Sequence, residues 1–181
     1  MGTQPLVTSM VILNTEGMRV CARYCNKSLF PDLESERAFE RDLLKKVSAT
    51  VTGHDEEIFE LDNHLVVYKW YDNVVMFLTG STSENELVLA DTLRTYEEGL
   101  SIILRAMLDE KTLLDSLETV LLAMDELIDQ EGIILETDPQ LLATRVSSGG
   151  VTLADGMPLG EQTFTQAFQS ARDQLTRSIL S

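Results

Sequence analysis

The sequence predicts an α+β fold in which a five-stranded antiparallel sheet lies between helices, in the order β-β-α-β-β-β-α-α with C-terminal helices after it. Three observations support this prediction: two apolar segments on either side of Asp72-Asn73, a strand pair before a single charged helix, and two later helices with apolar stripes. At 181 residues the chain can bury a sizeable core without disulfides or a metal.

The central hairpin is the clearest element. Residues 64–71 and 74–78 are rich in β-branched and aromatic residues, and only Asp72 and Asn73 separate them. A two-residue turn makes the strands antiparallel neighbours, and Asp and Asn tolerate the positive φ that such turns need. Because neither strand alternates between apolar and polar residues, we expect helices on both faces of the sheet.

The remaining strands precede this hairpin. Residues 7–13 and 19–24 predict a first hairpin across a turn at 14–17, and residues 58–61 predict a third strand. Between them, residues 33–47 predict a helix with a narrow apolar stripe. Basic residues crowd the rest of that helix: Arg37, Arg41, Lys45 and Lys46.

A helical hairpin is predicted after the last strand. Ser83 and Glu86 have the spacing of a capping box, so we expect a helix to begin at Ser83. A short connection at Asp109-Glu110 then predicts an antiparallel second helix whose stripe packs in the core. The stripes are Leu89, Leu93, Tyr96, Leu100, Ile103 and Met107 in the first helix and Leu113, Leu117, Val120, Met124 and Leu127 in the second.

The C-terminal part is predicted to be less compact. Residues 132–137 read as extended, and Asp138-Pro139 predicts a short helix to about Val146. We therefore expect a folded domain over residues 1–146, a flexible linker over 147–160 and an amphipathic helix over 161–181. The apolar side of that helix comprises Phe164, Ala167, Phe168, Ala171, Leu175 and Ile179.

The charge is concentrated in the helical hairpin. Residues 84–138 carry 15 Asp and Glu against 3 Lys and Arg, which is −12 of a total net charge of −16. Such a surface repels phosphate backbones and anionic headgroups, so we expect no nucleic-acid binding and no direct membrane insertion. The simple interpretation is that this acidic surface is only solvated. The more specific interpretation is that it binds a basic surface of a partner.

No residue pattern predicts a cofactor, a metal site or a catalytic group. Cys21 and Cys25 lie four residues apart in a predicted strand, roughly 13 Å, too far for a disulfide, and are expected to be reduced thiols of a cytosolic protein. His54 and His64 are expected at the surface or in turns. A calcium loop around Gly132 fails because its first ligand position would fall on Leu127.

Five stretches resemble the adaptor small-subunit family, and in particular the zeta subunits of the COPI coat. They are ARYCN (22–26), ERAFERDLLKK (36–46), HLVVYK (64–69), GSTSENEL (80–87) and AMDELIDQEGIILETDP (123–139). The resemblance implies a longin-like domain and a non-catalytic subunit that pairs with the gamma subunit of coatomer. It further implies a cytoplasmic coat that an Arf-type GTPase recruits to Golgi membranes for Golgi-to-ER retrograde and intra-Golgi transport.

Two other functions stay open. A sigma-type small chain of a clathrin adaptor would share the fold but bind cargo signals. A longin-like or profilin-like small-molecule sensor would need a pocket between sheet and helices, which the bulky strand residues argue against. For a partner surface, aromatic residues are the candidates because they anchor interfaces. We expect Tyr24, Phe30, Trp70 and Tyr71 to take this role.

Overall fold

The computed structural model describes residues 6–48 and 55–148, and its elements follow the predicted order. The strands are β1 (Val7–Asn14), β2 (Arg19–Tyr24), β3 (Glu57–Leu61), β4 (His64–Tyr71) and β5 (Val74–Ser81). The helices are α1 (Leu33–Ser48), α2 (Glu86–Leu104), α3 (Glu110–Asp115), α4 (Leu117–Leu127) and α5 (Pro139–Ser147). The α+β class and the predicted order of elements are confirmed.

The five strands form one antiparallel sheet in the order β2-β1-β5-β4-β3. All eight residues of β1 are buried, as are all residues of β5 except Ser81. Strands in the middle of a sheet that is covered on both sides have no solvent-facing side, which is why their sequences do not alternate. The predicted middle layer is therefore present.

Each face of the sheet supports its own apolar core. Helix α1 covers one face, where Phe39, Leu43 and Val47 pack on alternate residues of β1, β4 and β5. Helices α2 to α5 cover the other face, where Leu93, Tyr96 and Leu100 form part of a larger cluster. The buried Tyr96 hydroxyl donates to the carbonyl oxygen of Val120 at 2.8 Å, which ties α2 to α4 and satisfies that polar group.

Two of the three hairpin turns are formed by an Asp-Asn pair. Asp62 and Asn63 both have positive φ (46° and 65°), as a type I′ turn requires. Asp72 also has positive φ, 45°, between paired Tyr71 and Val74.

The predicted capping box is wrong. Helix α2 begins at Glu86, and its N-cap is Asn85, whose side-chain oxygen accepts from the Leu87 amide at 2.9 Å. Ser83 lies in the preceding turn, where its hydroxyl and amide both contact the Ser81 hydroxyl. Asn is as good an N-cap as Ser, so the spacing of Ser83 and Glu86 did not decide the start of the helix.

The helical hairpin differs from the prediction at two points. Arg105 adopts a left-handed conformation (φ 51°) that ends α2 at Leu104, so Met107 lies beyond the helix and is 78% exposed. The expected second helix is divided into α3 and α4 at Ser116, whose φ of −118° is not helical. The other stripe residues face the core as predicted.

The C-terminal part of the described chain agrees with the sequence. Gly132 has a positive φ, and the segment is extended from Ile133, with isolated bridges from Ile133 to Leu6 and from Ile134 to Ile128. Asp138 then caps α5 by accepting from the amides of Gln140 and Leu141. The predicted linker beyond Ser148, the final helix and His54 lie outside the described residues.

We expect Gly132→Ala to lower the free energy of unfolding by roughly 2 kcal/mol or more, because a side chain there is strained and has no room. Gly132 has φ +88°, and a Cβ atom would lie 2.0 Å from the Val7 carbonyl oxygen. Urea unfolding of the full chain measures the loss. The exposed neighbour Glu131→Ala is the matched control and should stay close to the parent; equal stability of both variants would contradict this account.

Candidate partner-binding surface

The four aromatic candidates lie at two ends of the sheet and do not form one surface. Tyr24 lies in a row of paired residues that crosses the sheet. Tyr24 pairs with Ser9, Ser9 pairs with Thr79, and Thr79 pairs with Val66 on β4. Trp70 lies four residues further along β4, or roughly 13 Å at the rise of a strand. Tyr24 and Phe30 therefore belong to one end, and Trp70 and Tyr71 to the other.

The first pair is part of an aromatic cluster beneath α1. The rings of Tyr24 and Phe30 lie 4.6 Å apart, and Phe30 also contacts Phe39 and His64. Phe30 is only 6% exposed, so it offers almost no surface to a partner. Tyr24 is half-buried; its hydroxyl donates to Glu40 at 3.1 Å, and burial and then the Glu40 carboxylate raise the pKa of this phenol.

The second pair flanks the tip of the β4–β5 hairpin. Trp70 packs against the core under α1, and Tyr71 packs against the core under α2, because successive strand residues point to opposite faces. The Trp70 Nε1 and the Tyr71 hydroxyl are buried without a partner at hydrogen-bond distance. Burial and the nearby Glu97 carboxylate raise the pKa of Tyr71. Buried polar groups without partners are uncommon, so this tip is an unusual part of the surface.

A network of ion pairs lies beside Tyr71 and joins β4 to α2. The Lys69 ammonium contacts Glu97 at 2.7 Å and Glu56 at 3.8 Å, and its charge lies 5.3 Å from the centre of the Tyr71 ring. Arg94 donates from two nitrogens to Glu56, at 3.0 and 3.2 Å. These hydrogen bonds from Arg94, opposed by burial, lower the pKa of Glu56, which therefore stays ionised at neutral pH.

The outer surface of the helical layer is acidic and carries scattered apolar side chains. Four basic residues lie in this layer, α2 to α5, and three of them are paired with acidic residues of the same layer. The pairs are Arg94 with Asp91, Lys111 with Asp115 and Arg145 with Glu136. The sequence did not predict which leucines are exposed on this surface, because an apolar stripe indicates the buried positions of a helix and not the exposed ones. The exposed apolar residues of the layer are Leu87, Met107, Leu114, Leu121, Leu135 and Leu141.

Two surface grooves contain polar groups that could take part in a reaction. One, of about 620 Å³, lies at the end of the sheet between residues 25–29 and the Asp62-Asn63 turn, and it contains Cys25 and His64. Burial raises the pKa of the Cys25 thiol to about 11, so it remains protonated and is a poor nucleophile at neutral pH. The other, of about 370 Å³, lies against α2, where the hydroxyls of Thr92 and Thr95 bond to helix carbonyls.

The expectation for His64 is wrong, because this residue is buried. Its ring lies 5.7 Å from Phe30 and 5.1 Å from Phe39, and its Nδ1 is 3.4 Å from the Thr8 hydroxyl. That hydroxyl continues into a buried chain through Thr79 to Ser9, with separations of 2.8 and 2.6 Å. A single histidine at the start of a strand gave no signal that helix α1 would cover it.

We expect the chain to lose stability as the pH falls below about 6.5, the usual pKa of an exposed histidine. Burial, opposed by Asp62, lowers the pKa of His64 in the folded state, so the unfolded chain binds more protons in this range and unfolding becomes easier. Urea unfolding at pH 7 and pH 5.5 measures the change. His64→Phe should reduce this pH dependence and His54→Gln should retain it. The opposite pattern would show that His64 is not the source of the pH dependence.

No cluster of three or more His, Cys, Asp or Glu that could hold a metal occurs within residues 6–48 and 55–148. Among the described helices, none is long and apolar enough to cross a bilayer. The free thiols Cys21 and Cys25 do not form a disulfide.

Comparison with known proteins now identifies the family. The model of the clathrin adaptor complex small chain matches residues 6–151. This chain belongs to that family. Coatomer subunit zeta-1 of Oryza sativa subsp. japonica is 39% identical over 97% of this chain and 97% of its own length, and coatomer subunit zeta-1 of Homo sapiens is 36% identical over 96% and 93%.

A structural comparison supports the same fold. A chain described as part of a homology model of the full-length AP-3 complex in a stretched open conformation superposes with a TM-score of 0.60 at 13% identity, covering 93% of this chain and 99% of that one. At this identity the likeness concerns the fold alone. The resemblance to coatomer zeta subunits is therefore confirmed by the sequence relatives, and the longin-like fold by both comparisons.

Proposed function

We propose that the chain is the non-catalytic zeta-type subunit of a COPI coat. The observation that carries this is the match to coatomer zeta subunits over nearly the whole length of both chains. In this function it pairs with the gamma subunit of coatomer and stabilises it, in the cytoplasm and on Golgi membranes. Its link to an Arf-type GTPase is indirect, through the rest of the coat, and transport runs from Golgi to ER and within the Golgi.

The physical character of the molecule supports a subunit role. The space between the sheet and its helices is occupied by side chains that are almost wholly buried on both faces, among them Phe77 and Tyr96. A close-packed interior leaves no room for a small-molecule substrate. In the larger groove burial keeps the Cys25 thiol protonated, which makes it a poor nucleophile, and burial lowers the pKa of His64, which weakens it as a base.

A sigma-type chain of a clathrin adaptor is the second candidate, and the family model favours it as much as it favours a zeta subunit. The two candidate functions differ in the large subunit that the chain binds. We expect co-expression of the full chain with a trunk fragment of coatomer gamma to give a stoichiometric complex on size exclusion. A trunk fragment of a clathrin-adaptor large chain is the control. A complex with the control and none with gamma would overturn the proposal in favour of a sigma chain.

The hairpin tip is the site we propose for an anchor in that complex. Trp70 and Tyr71 stand next to the turn on opposite faces of β4, so a partner seated on the tip touches both. Both retain partly exposed rings, whereas Phe30 does not. Tyr24, at the far end of the sheet, is a second candidate because it is partly exposed, and its hydroxyl already donates to Glu40.

We expect Tyr71→Ala and Trp70→Ala each to weaken gamma binding by about tenfold or more, since truncation of an interface aromatic commonly costs at least 1–2 kcal/mol. Titration of labelled chain with the gamma fragment measures the affinity, and circular dichroism with thermal melting confirms folding. Leu141→Ala, on the exposed side of α5, is the control for a general surface change. Unchanged affinity in a folded Tyr71 variant would remove the tip from the interface.

A further inference from the structure

The last strand of the sheet has an open edge. β3 pairs with β4 on one side, and within residues 6–48 and 55–148 no strand lies on its other side. The opposite edge, β2, is flanked by helices: Arg19 forms ion pairs with Glu36 and Glu40 of α1, and Arg23 reaches Asp125 of α4. The "β3 edge", residues Glu57–Leu61, is therefore the more accessible end of the sheet.

The turn fixes which backbone groups point outward. A two-residue hairpin turn closes on a hydrogen-bonded pair, here Leu61 and His64. Hydrogen-bonded and non-bonded pairs alternate along an antiparallel ladder, so Phe59 and Glu57 also bond to β4. The N–H and C=O groups of Ile58 and Glu60 then point away from the sheet, in the direction where a sixth strand would bind.

The side chains along this edge define what such a strand must be. Ile58 is 44% exposed, and Glu60 and Asp62 are exposed beside it. On the other face, Phe59 and Leu61 are only partly buried. Acidic residues dominate this segment, five within residues 55–62, and they repel a second copy of the same edge. The complementary strand is therefore a basic one from a different chain.

We propose that the β3 edge binds an extended segment of a partner protein, with Lys or Arg alternating with β-branched residues, as an additional strand. The main-chain bonds to Ile58 and Glu60 supply the affinity, and the pairing of its basic side chains with Glu60 and its apolar ones with Phe59 and Leu61 supplies the selectivity. This inference goes beyond the proposed function, because it holds for any partner that carries such a segment. Charged residues on an edge strand also protect a sheet from aggregation. The test below distinguishes that simpler role from strand binding.

The test uses the full chain labelled with ¹⁵N and a blocked twelve-residue peptide of alternating lysine and valine, with the glutamate–valine peptide as control. Amide exchange is followed residue by residue. We expect the lysine peptide to slow exchange at Ile58 and Glu60 by about tenfold or more, and to leave Phe59, already bonded in the ladder, unchanged. The control peptide should have no effect, and added salt should weaken the binding.

Two variants separate main-chain pairing from charge attraction. Ile58→Pro removes an outward donor and leaves the ladder to β4 intact, a substitution that edge strands tolerate. Ile58→Ala keeps the donor and is the matched control. We expect the proline variant to lose peptide binding and the alanine variant to retain most of it; Glu60→Lys should weaken binding without changing the fold.

The proposal fails under three results. Equal binding by folded Ile58→Pro and Ile58→Ala would show an acidic surface attraction only. Peptide-induced shifts confined to the α2–α4 surface would place the basic segment elsewhere. Slow exchange at Ile58 and Glu60 in the free chain would show that the edge is already covered. If Ile58→Pro does not fold, the exchange measurement on the parent chain decides alone.

Discussion

The rest of the structure depends on burial of the sheet on both faces. β1 and β5 lie at its centre and carry one core under α1 and another under α2 to α5. Because every one of their side chains is needed for packing, the central strands have no residues left for a binding pocket or a catalytic group. Recognition is therefore confined to the outside: strand edges, hairpin tips and the outer sides of helices.

The outside is not uniform, and its charges follow the layers. The helical layer is strongly acidic, and the β3 edge continues that charge to the end of the sheet. Several of the described basic residues are used in internal pairing: Arg19, Arg23, Lys69 and Arg94 all bond to carboxylates of neighbouring elements. These bridges hold helices to strands, so the cations stabilise the fold and the surplus of anions is left for solvent or for a basic partner.

Much of the fold followed from the sequence, because local chemistry decided it. The hairpin at Asp72-Asn73 and the Asp138 cap before Pro139 each depend on a few adjacent residues, and the structure has both. The errors concern features that depend on distant neighbours or on competition between similar residues. Asn85 and Ser83 are comparable caps, and only one was used. His64 is buried because α1, distant in sequence, lies above it.

The candidate site was less predictable than the fold for the same reason. Aromatic residues are enriched both in cores and in interfaces, so composition did not separate buried Phe30 from the partly exposed Trp70 and Tyr71. Nor does a strand pattern tell which strand ends a sheet: β3 is third of five in sequence, yet it lies at an edge. Surface roles emerge only once the elements are assembled.

The most direct test of this account compares hydrogen exchange of the full chain alone and assembled with its large coat subunit. The account predicts that protection is gained on outer elements only, while amides of β1 and β5 exchange as slowly in both states. Two results would contradict the account. One is that the chain assembles with no large coat subunit; the other is that a small molecule purifies with the free chain and protects the residues between sheet and helices.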